Sequence, residues 1–300
     1  VCQPFIVATL PDTFYPNDIA VNETLAFVSG DDTSDGDDPV IYSVPLDGGA
    51  VQVFAQTTDP AYELFAGPST LYWATPQSIA SDSIDAGTVT TIVALDASAI
   101  VGFSADPAGA FLYWAEISST DNLTVWTDPS DAGPQTAIWD GGNQQCGGVE
   151  FAPTPREMYW SYQSNNTGPT VPLLVSALGS TAVTATGSVP AAQQLVAQGE
   201  NLFVLPSYSN EVESLPLAGG GAPAVYTDEA GVIDFFAADP NWLYVADEAN
   251  TLQAMPFDGG SSVVLDNSAN WTSPALAVTS GFIYWVSSGP PVAVMGVATP

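Results

Sequence analysis

The side chains available for chemistry in this 300-residue chain are almost all carboxylates. Thirty-three Asp and Glu residues stand against a single cation, Arg156, with no Lys and no His, for a formal net charge of −32. Without imidazole or amine there is no Ser-His-Asp or Cys-His nucleophile pair, no Schiff-base lysine and no imidazole-ligated metal, and one Arg cannot clamp a phosphate. What remains is proton transfer by paired carboxylates, which suffices to cleave a glycosidic bond when two stand at a set separation. Glu63, Glu150, Glu157 and Asp234 are the candidates, on segments that read below as inner strands or channel-facing loops. Solvated carboxylates are the simpler explanation of all four, so no catalytic residue is assigned and the chain is read as a non-enzyme.

The densest acidic run is Asp31-Asp32-Thr33-Ser34-Asp35-Gly36-Asp37-Asp38. A hard cation wants several oxygens and a Gly permits a sharp turn, so Asp31, Asp32, Asp35, Asp37 and Asp38 are candidate calcium ligands. The twelfth position of such a loop, where a Glu would close the site, is Tyr42, and a solvated acidic loop is the simpler reading. No cofactor is required, and calcium is the one candidate.

A field of this sign repels nucleic-acid phosphates and anionic membranes and attracts metal cations or basic partners. Nucleic acid is thereby excluded as a ligand. No run of eighteen apolar residues occurs, so no membrane-inserted helix is expected. The opening Val1-Cys2-Gln3-Pro4 has neither a basic n-region nor an apolar h-region, which reads as an already processed chain. Cys2 and Cys146 are too few for a disulfide framework and have no metal-ligand spacing, leaving free thiols, one bridge or links between subunits. Asn22, Asn122, Asn165 and Asn270 each head an N-glycosylation tripeptide.

The elements that must position these groups come from an internal repeat. Leu25-Ala26-Phe27, Leu71-Tyr72-Trp73, Leu112-Tyr113-Trp114, Met158-Tyr159-Trp160, Leu202-Phe203-Val204, Leu243-Tyr244-Val245 and Ile283-Tyr284-Trp285 recur at intervals of 40 to 46 residues. That period is the size of a four-stranded propeller blade. An apolar run and a turn precede each copy, and tetrapeptides such as Leu46-Asp47-Gly48-Gly49 and Phe257-Asp258-Gly259-Gly260 follow, supplying the positive φ that tight hairpins demand. The expected fold is all-β, a single seven-bladed β-propeller over residues 1–300.

Six copies are followed by a fourth strand, but the seventh ends with Val292-Ala293-Val294-Met295-Gly296-Val297. Residues 4–10, Pro4 to Leu10, are therefore expected to close the last blade as its outer strand, a one-plus-three closure that leaves no loose edge. In that arrangement Cys2 and Cys146 fall nearly half a ring apart, beyond the roughly 7 Å that a disulfide spans. Heterologous Cys2-to-Cys146 links between neighbours would build filaments.

The Tyr-Trp runs and the Leu-Asp-Gly-Gly turn resemble the YWTD-type repeats of receptor propellers and, more closely, the Pro-Leu-Asp-Gly-Gly repeats of secreted bacterial propellers of unassigned function. The resemblance covers nearly the whole chain. Its motifs specify a blade rather than an activity, and they imply a propeller with a secreted, extracellular or cell-surface setting. The fourth position departs from the receptor pattern, being Ala74, Ala115, Ser161 and Val286 where Thr is the rule.

The repeated Trp and Tyr rings are read as filling between sheets, so Trp126, Trp139, Trp242 and Trp271, outside the repeated run, are the better candidates for a binding surface. The function expected is a non-enzymatic interaction or structural protein of a surface or filamentous assembly, with protein partners or copies of itself. The alternatives are a carbohydrate- or calcium-binding propeller and a carboxylate-dependent glycan hydrolase or lyase.

Overall fold

The computed structural model describes residues 3–34, 38–85, 87–130, 133–143, 146–164, 170–207, 209–217, 224–228, 232–258, 260–267, 275–288 and 290–300. Within them every regular element is a strand, and the strands make seven four-stranded antiparallel sheets, a seven-bladed β-propeller as the repeat predicts. Blade 1 runs through Phe14–Val21, Leu25–Asp32, Asp38–Pro45 and Gln52–Gln56. Blades 2 to 6 begin at Glu63, Ala99, Cys146, Ala192 and Ile233, each with four consecutive strands. Blade 7 contains only Ala277–Val278, Phe282–Ser287 and Ala293–Ala298 from its own stretch of chain. Its outer strand is Phe5–Thr9, with Phe5 opposite Gly296 and Thr9 opposite Ala293, so the one-plus-three closure is observed.

By contact the chain divides into two compact units: Val1–Thr75, Ala80–Thr91 and Ile233–Pro300 form one, and Pro76–Ile79 with Ile92–Val232 the other. The first unit holds blades 6, 7 and 1 with most of blade 2, and the second holds blades 3, 4 and 5.

In both units the repeated triplets build the core. Between neighbouring blades of the same unit, the outer two residues face the preceding blade and the middle one faces the next. Leu71 and Trp73 pack with Phe27, Ile41 and Ala55 of blade 1, and Ile283 and Trp285 pack with Tyr244 and Leu252 of blade 6. In the second unit Met158 and Trp160 share a cluster with Tyr113, Leu123 and Val125 of blade 3. Trp73, Trp114, Trp160 and Trp285 are among the largest fully buried side chains, each removing a large apolar area from water.

This facing rule corrects one register. In blade 1 Ala26 and Val28 pack toward blade 7, while Phe27 packs toward blade 2. The true repeat element there is Ala26-Phe27-Val28, one residue later than the Leu-initiated triplet that the sequence offers. The small residue at the first position disguised it.

Two glycines set the geometry. Gly48 has φ +89° in the hairpin after Pro45, where its N–H donates to the Pro45 carbonyl. A Cβ on Gly102 would lie 2.1 Å from the Val149 carbonyl oxygen, so only Gly lets the inner strands of blades 3 and 4 approach this closely.

Candidate functional site

With blade 1 in register, one inner-strand position recurs opposite the residue that follows the triplet in blades 1 to 6. It is Asp18 opposite Ser29, Glu63 opposite Ala74, Gly102 opposite Ala115, Glu150 opposite Ser161, Gln194 opposite Leu205 and Phe235 opposite Ala246. Three blades thus put a carboxyl at the same place on the inner strand. The preceding residue is bulged out of the ladder at Asn17, Val101, Gln193 and Asp234, a local re-aiming typical of strands that line a site.

In the first unit Asp18 is half-buried and ties two blades together. Its Oδ2 accepts from the Leu64 N–H of blade 2 at 2.7 Å and its Oδ1 from the Ile19 N–H at 2.8 Å. Burial pushes its pKa up to about 7, against the lowering effect of those two backbone donors. Asp234 is also raised, first by burial and then by Glu248 and Asp247 nearby. Glu63 opens the inner strand of blade 2, half-buried.

In the second unit Glu150 is partly buried, and burial alone pushes its pKa up to about 8. Among the described residues no group donates to it. Protonated near neutral pH and unpartnered, it has the character of a general acid. Glu157 does not lie on an inner strand. It opens the second strand of blade 4, where its N–H donates to Thr154 Oγ1 at 2.9 Å and its Oε2 accepts from the Tyr159 hydroxyl at 2.6 Å. That carboxylate is consumed in shaping a hairpin.

The acidic loop of blade 1 is partly committed in the same way. Asp32 Oδ1 accepts from Thr13 Oγ1 at 2.7 Å and the Ser34 N–H at 3.0 Å, and Oδ2 accepts from the Tyr42 hydroxyl at 2.7 Å. Burial alone would raise its pKa, but the donors from Ser34, Thr13 and Tyr42 outweigh that and hold it at about 2. Asp31 and Asp38 line an open groove of about 710 Å³ with Tyr15, Thr33, Pro39, Thr58 and Pro60. Among the described residues no three His, Cys, Asp or Glu groups converge as metal ligands, and Asp35 and Asp37 lie outside the described residues.

Three of the four tryptophans expected at a binding surface pack against neighbours instead. Trp126 stacks on Trp114 with centroids 6.4 Å apart and planes 10° apart, Trp139 tilts against Tyr162 at 5.5 Å, and Trp242 packs beside the blade 6 cluster. Trp271, Asn165, Asn270 and Cys2 lie outside the described residues, as does the side chain of Cys146, whose backbone opens the inner strand of blade 4. Asn122 is exposed, and Asn22 caps a turn by accepting from the Thr24 and Leu25 N–H groups.

One feature was missed altogether. A cleft of about 940 Å³ opens where the first hairpin turns of blades 1 and 7 stand side by side, lined by Glu23, Asp47, Thr279, Phe282 and Tyr284 among others. Each residue is unremarkable in its own hairpin, and only the strand exchange that completes blade 7 hints that these two stretches are neighbours. Asp18 was missed because the register error hid its equivalence with Glu63 and Glu150.

No described protein family and no curated protein matches this sequence. Solved structures do match in fold. Oligogalacturonate lyase from Vibrio parahaemolyticus superposes with a TM-score of 0.73 at 8% identity, covering 100% of this chain and 97% of that one. A puromycin-hydrolysing peptidase of Mycobacterium tuberculosis gives a TM-score of 0.70 at 13% identity, over 97% of this chain and 52% of that one, so this chain spans about half its length. A nidogen/laminin complex gives 0.55 at 18% identity, over 75% of this chain and 89% of that one. At these identities the likeness is one of fold.

Proposed function

We propose that this chain is a non-catalytic interaction propeller of the secreted bacterial Pro-Leu-Asp-Gly-Gly repeat type, acting outside the cell as a subunit of a surface or filamentous assembly. The observation that carries this reading is the character of the outermost strands. Phe5 and Ile6 in blade 7, Val53 in blade 1, Val225 in blade 5 and Val263 with Val264 in blade 6 are exposed, as is Val89 at the entry to the outer strand of blade 2. An outer strand is an open hydrogen-bonding edge, and native proteins usually blunt such edges with charge. Large apolar side chains on them mark surfaces that a partner covers. The charge of −32 opposes pairing between bare copies, so assembly needs a cation or a basic partner. Calcium at the Asp31–Asp38 loop fits that need, and intersubunit bonds through Cys2 and Cys146 would extend the same arrangement.

Sedimentation velocity with and without millimolar calcium and reductant tests the reading. Species heavier than the 31.0 kDa chain are expected, diminished by Val53→Thr and Val264→Thr. A monomer under every condition, with no loss of partner binding in those variants, would count against it.

Glu150 supports a second reading. A carboxyl protonated near neutral pH can donate to a leaving oxygen, and the chain shares its fold with an oligogalacturonate lyase, so a carboxylate-dependent glycan hydrolase or lyase is the alternative. Product release from a panel of glycans, abolished by Glu150→Gln, would establish it.

A further inference from the structure

The cleft between the hairpin turns of blades 1 and 7 joins two chemistries that rarely meet by packing alone. Phe282 is 39% exposed although its ring sits edge-to-face on Phe5 at 6.0 Å and tilts against the buried Tyr284 at 6.1 Å, so the cleft presents one aromatic face to solvent, held in place by two neighbouring rings. The exposed carboxylates of Glu23 and Asp47 share the same cleft, and none of its lining residues is cationic. We propose that this cleft receives an arginine or lysine side chain carried on a peptide segment of a partner protein.

A guanidinium or ammonium over an aromatic face is attracted by the ring quadrupole, and adjacent carboxylates add charge-assisted hydrogen bonds. The volume of about 940 Å³ accommodates several residues rather than a lone amine. The field of the whole chain draws the cation in and turns anionic glycans away. The proposal rests on the non-catalytic reading and names the partner chemistry that reading lacks.

Fluorescence anisotropy with a labelled pentapeptide carrying three arginines provides the test, with its citrulline counterpart and a neutral cello-oligosaccharide as competitors. Phe282→Ala is expected to weaken arginine-peptide binding about fivefold, with Phe282→Leu, which keeps the apolar packing, weakening it comparably. The double variant Glu23→Gln/Asp47→Asn is expected to lose about tenfold. Asp12→Asn/Asp59→Asn removes the same charge from exposed carboxylates outside the cleft and should change affinity by less than about twofold. Equal losses in the two double variants, equal binding of the citrulline peptide, or displacement by the neutral oligosaccharide would each overturn the site. Assembly that persists in cleft variants leaves the interaction reading standing without the site, whereas glycan turnover by the wild type removes both.

Discussion

At neutral pH Asp18 and Glu150 stand near the midpoint of their titrations, at about 7 and about 8, because burial penalises their charged forms. Both values are raised, so the folded chain holds these protons more tightly than the unfolded chain. The stability they contribute is complete in acid, below the ordinary carboxylate values, and is lost as pH rises through 7 and 8. Both groups are only partly shielded, so the loss between pH 5 and pH 9 is expected to be about 2 kcal/mol rather than the full linkage value. Asp18→Asn, which still accepts from Leu64 N–H, should flatten the melting-temperature profile over that range; an unchanged slope would contradict the assignment. Asp32 has the opposite sense, since its lowered pKa makes its contribution vanish only in strong acid. Calcium should raise the melting temperature of metal-stripped protein, with the increment lost in Asp31→Asn/Asp38→Asn. Asp32→Asn should lower stability with or without calcium, because Thr13, Ser34 and Tyr42 already use its carboxylate. Identical melts in calcium and chelator would remove the metal from the account. The buried Trp73, Trp114, Trp160 and Trp285 were legible in the sequence because bulky rings recur at one period. The isolation of Glu150 was not, since it depends on what the described residues of the neighbouring strands fail to donate.

For the elements, the outer strand of blade 7 is the decisive pairing. Deleting residues 1–10 removes Phe5–Thr9 from Ala293–Ala298 and takes the buried Val7, Ala8 and Leu10 out of the blade 7 and blade 1 core. Burial of those side chains is worth about 4 kcal/mol, a loss of roughly 10 °C in melting temperature. A truncated chain that melts with the full-length one would refute the closure. In the other unit Gly102→Ala should cost more than about 2 kcal/mol, because backbone must move to admit the methyl group, whereas Gly187→Ala, with open space around its Cβ, should be near neutral. Urea unfolding of the pair separates a packing requirement from a general intolerance of Ala in strands. The number of blades and the donated strand were readable because period and strand count are properties of the string. The register of blade 1 was not, because Ala26 carries too little bulk to mark the first position and Leu25 imitates it. Which face a residue presents is decided by the neighbouring sheet.

At the scale of the whole molecule, 33 carboxylates with one cation repel one another across the surface, and raising sodium chloride from 10 mM to 500 mM should increase the melting temperature by several degrees. A flat or falling response would mean that these charges are already neutralised by bound ions. The placement of Phe5–Thr9 against Ala293–Ala298 has a further consequence, in the order of events during synthesis. Phe5–Thr9 is made long before its partner Ala293–Ala298, so while the intervening chain is synthesised Phe5, Ile6 and Val7 have no native partner. The stretch from Ile92 to Val232 is continuous in the second unit and is able to condense meanwhile, whereas the first unit cannot be completed until its final strands emerge. A nascent chain arrested before Ala293 therefore carries an apolar, strand-forming segment in waiting. That segment is where a chaperone would bind during synthesis, and where premature termination would seed aggregation.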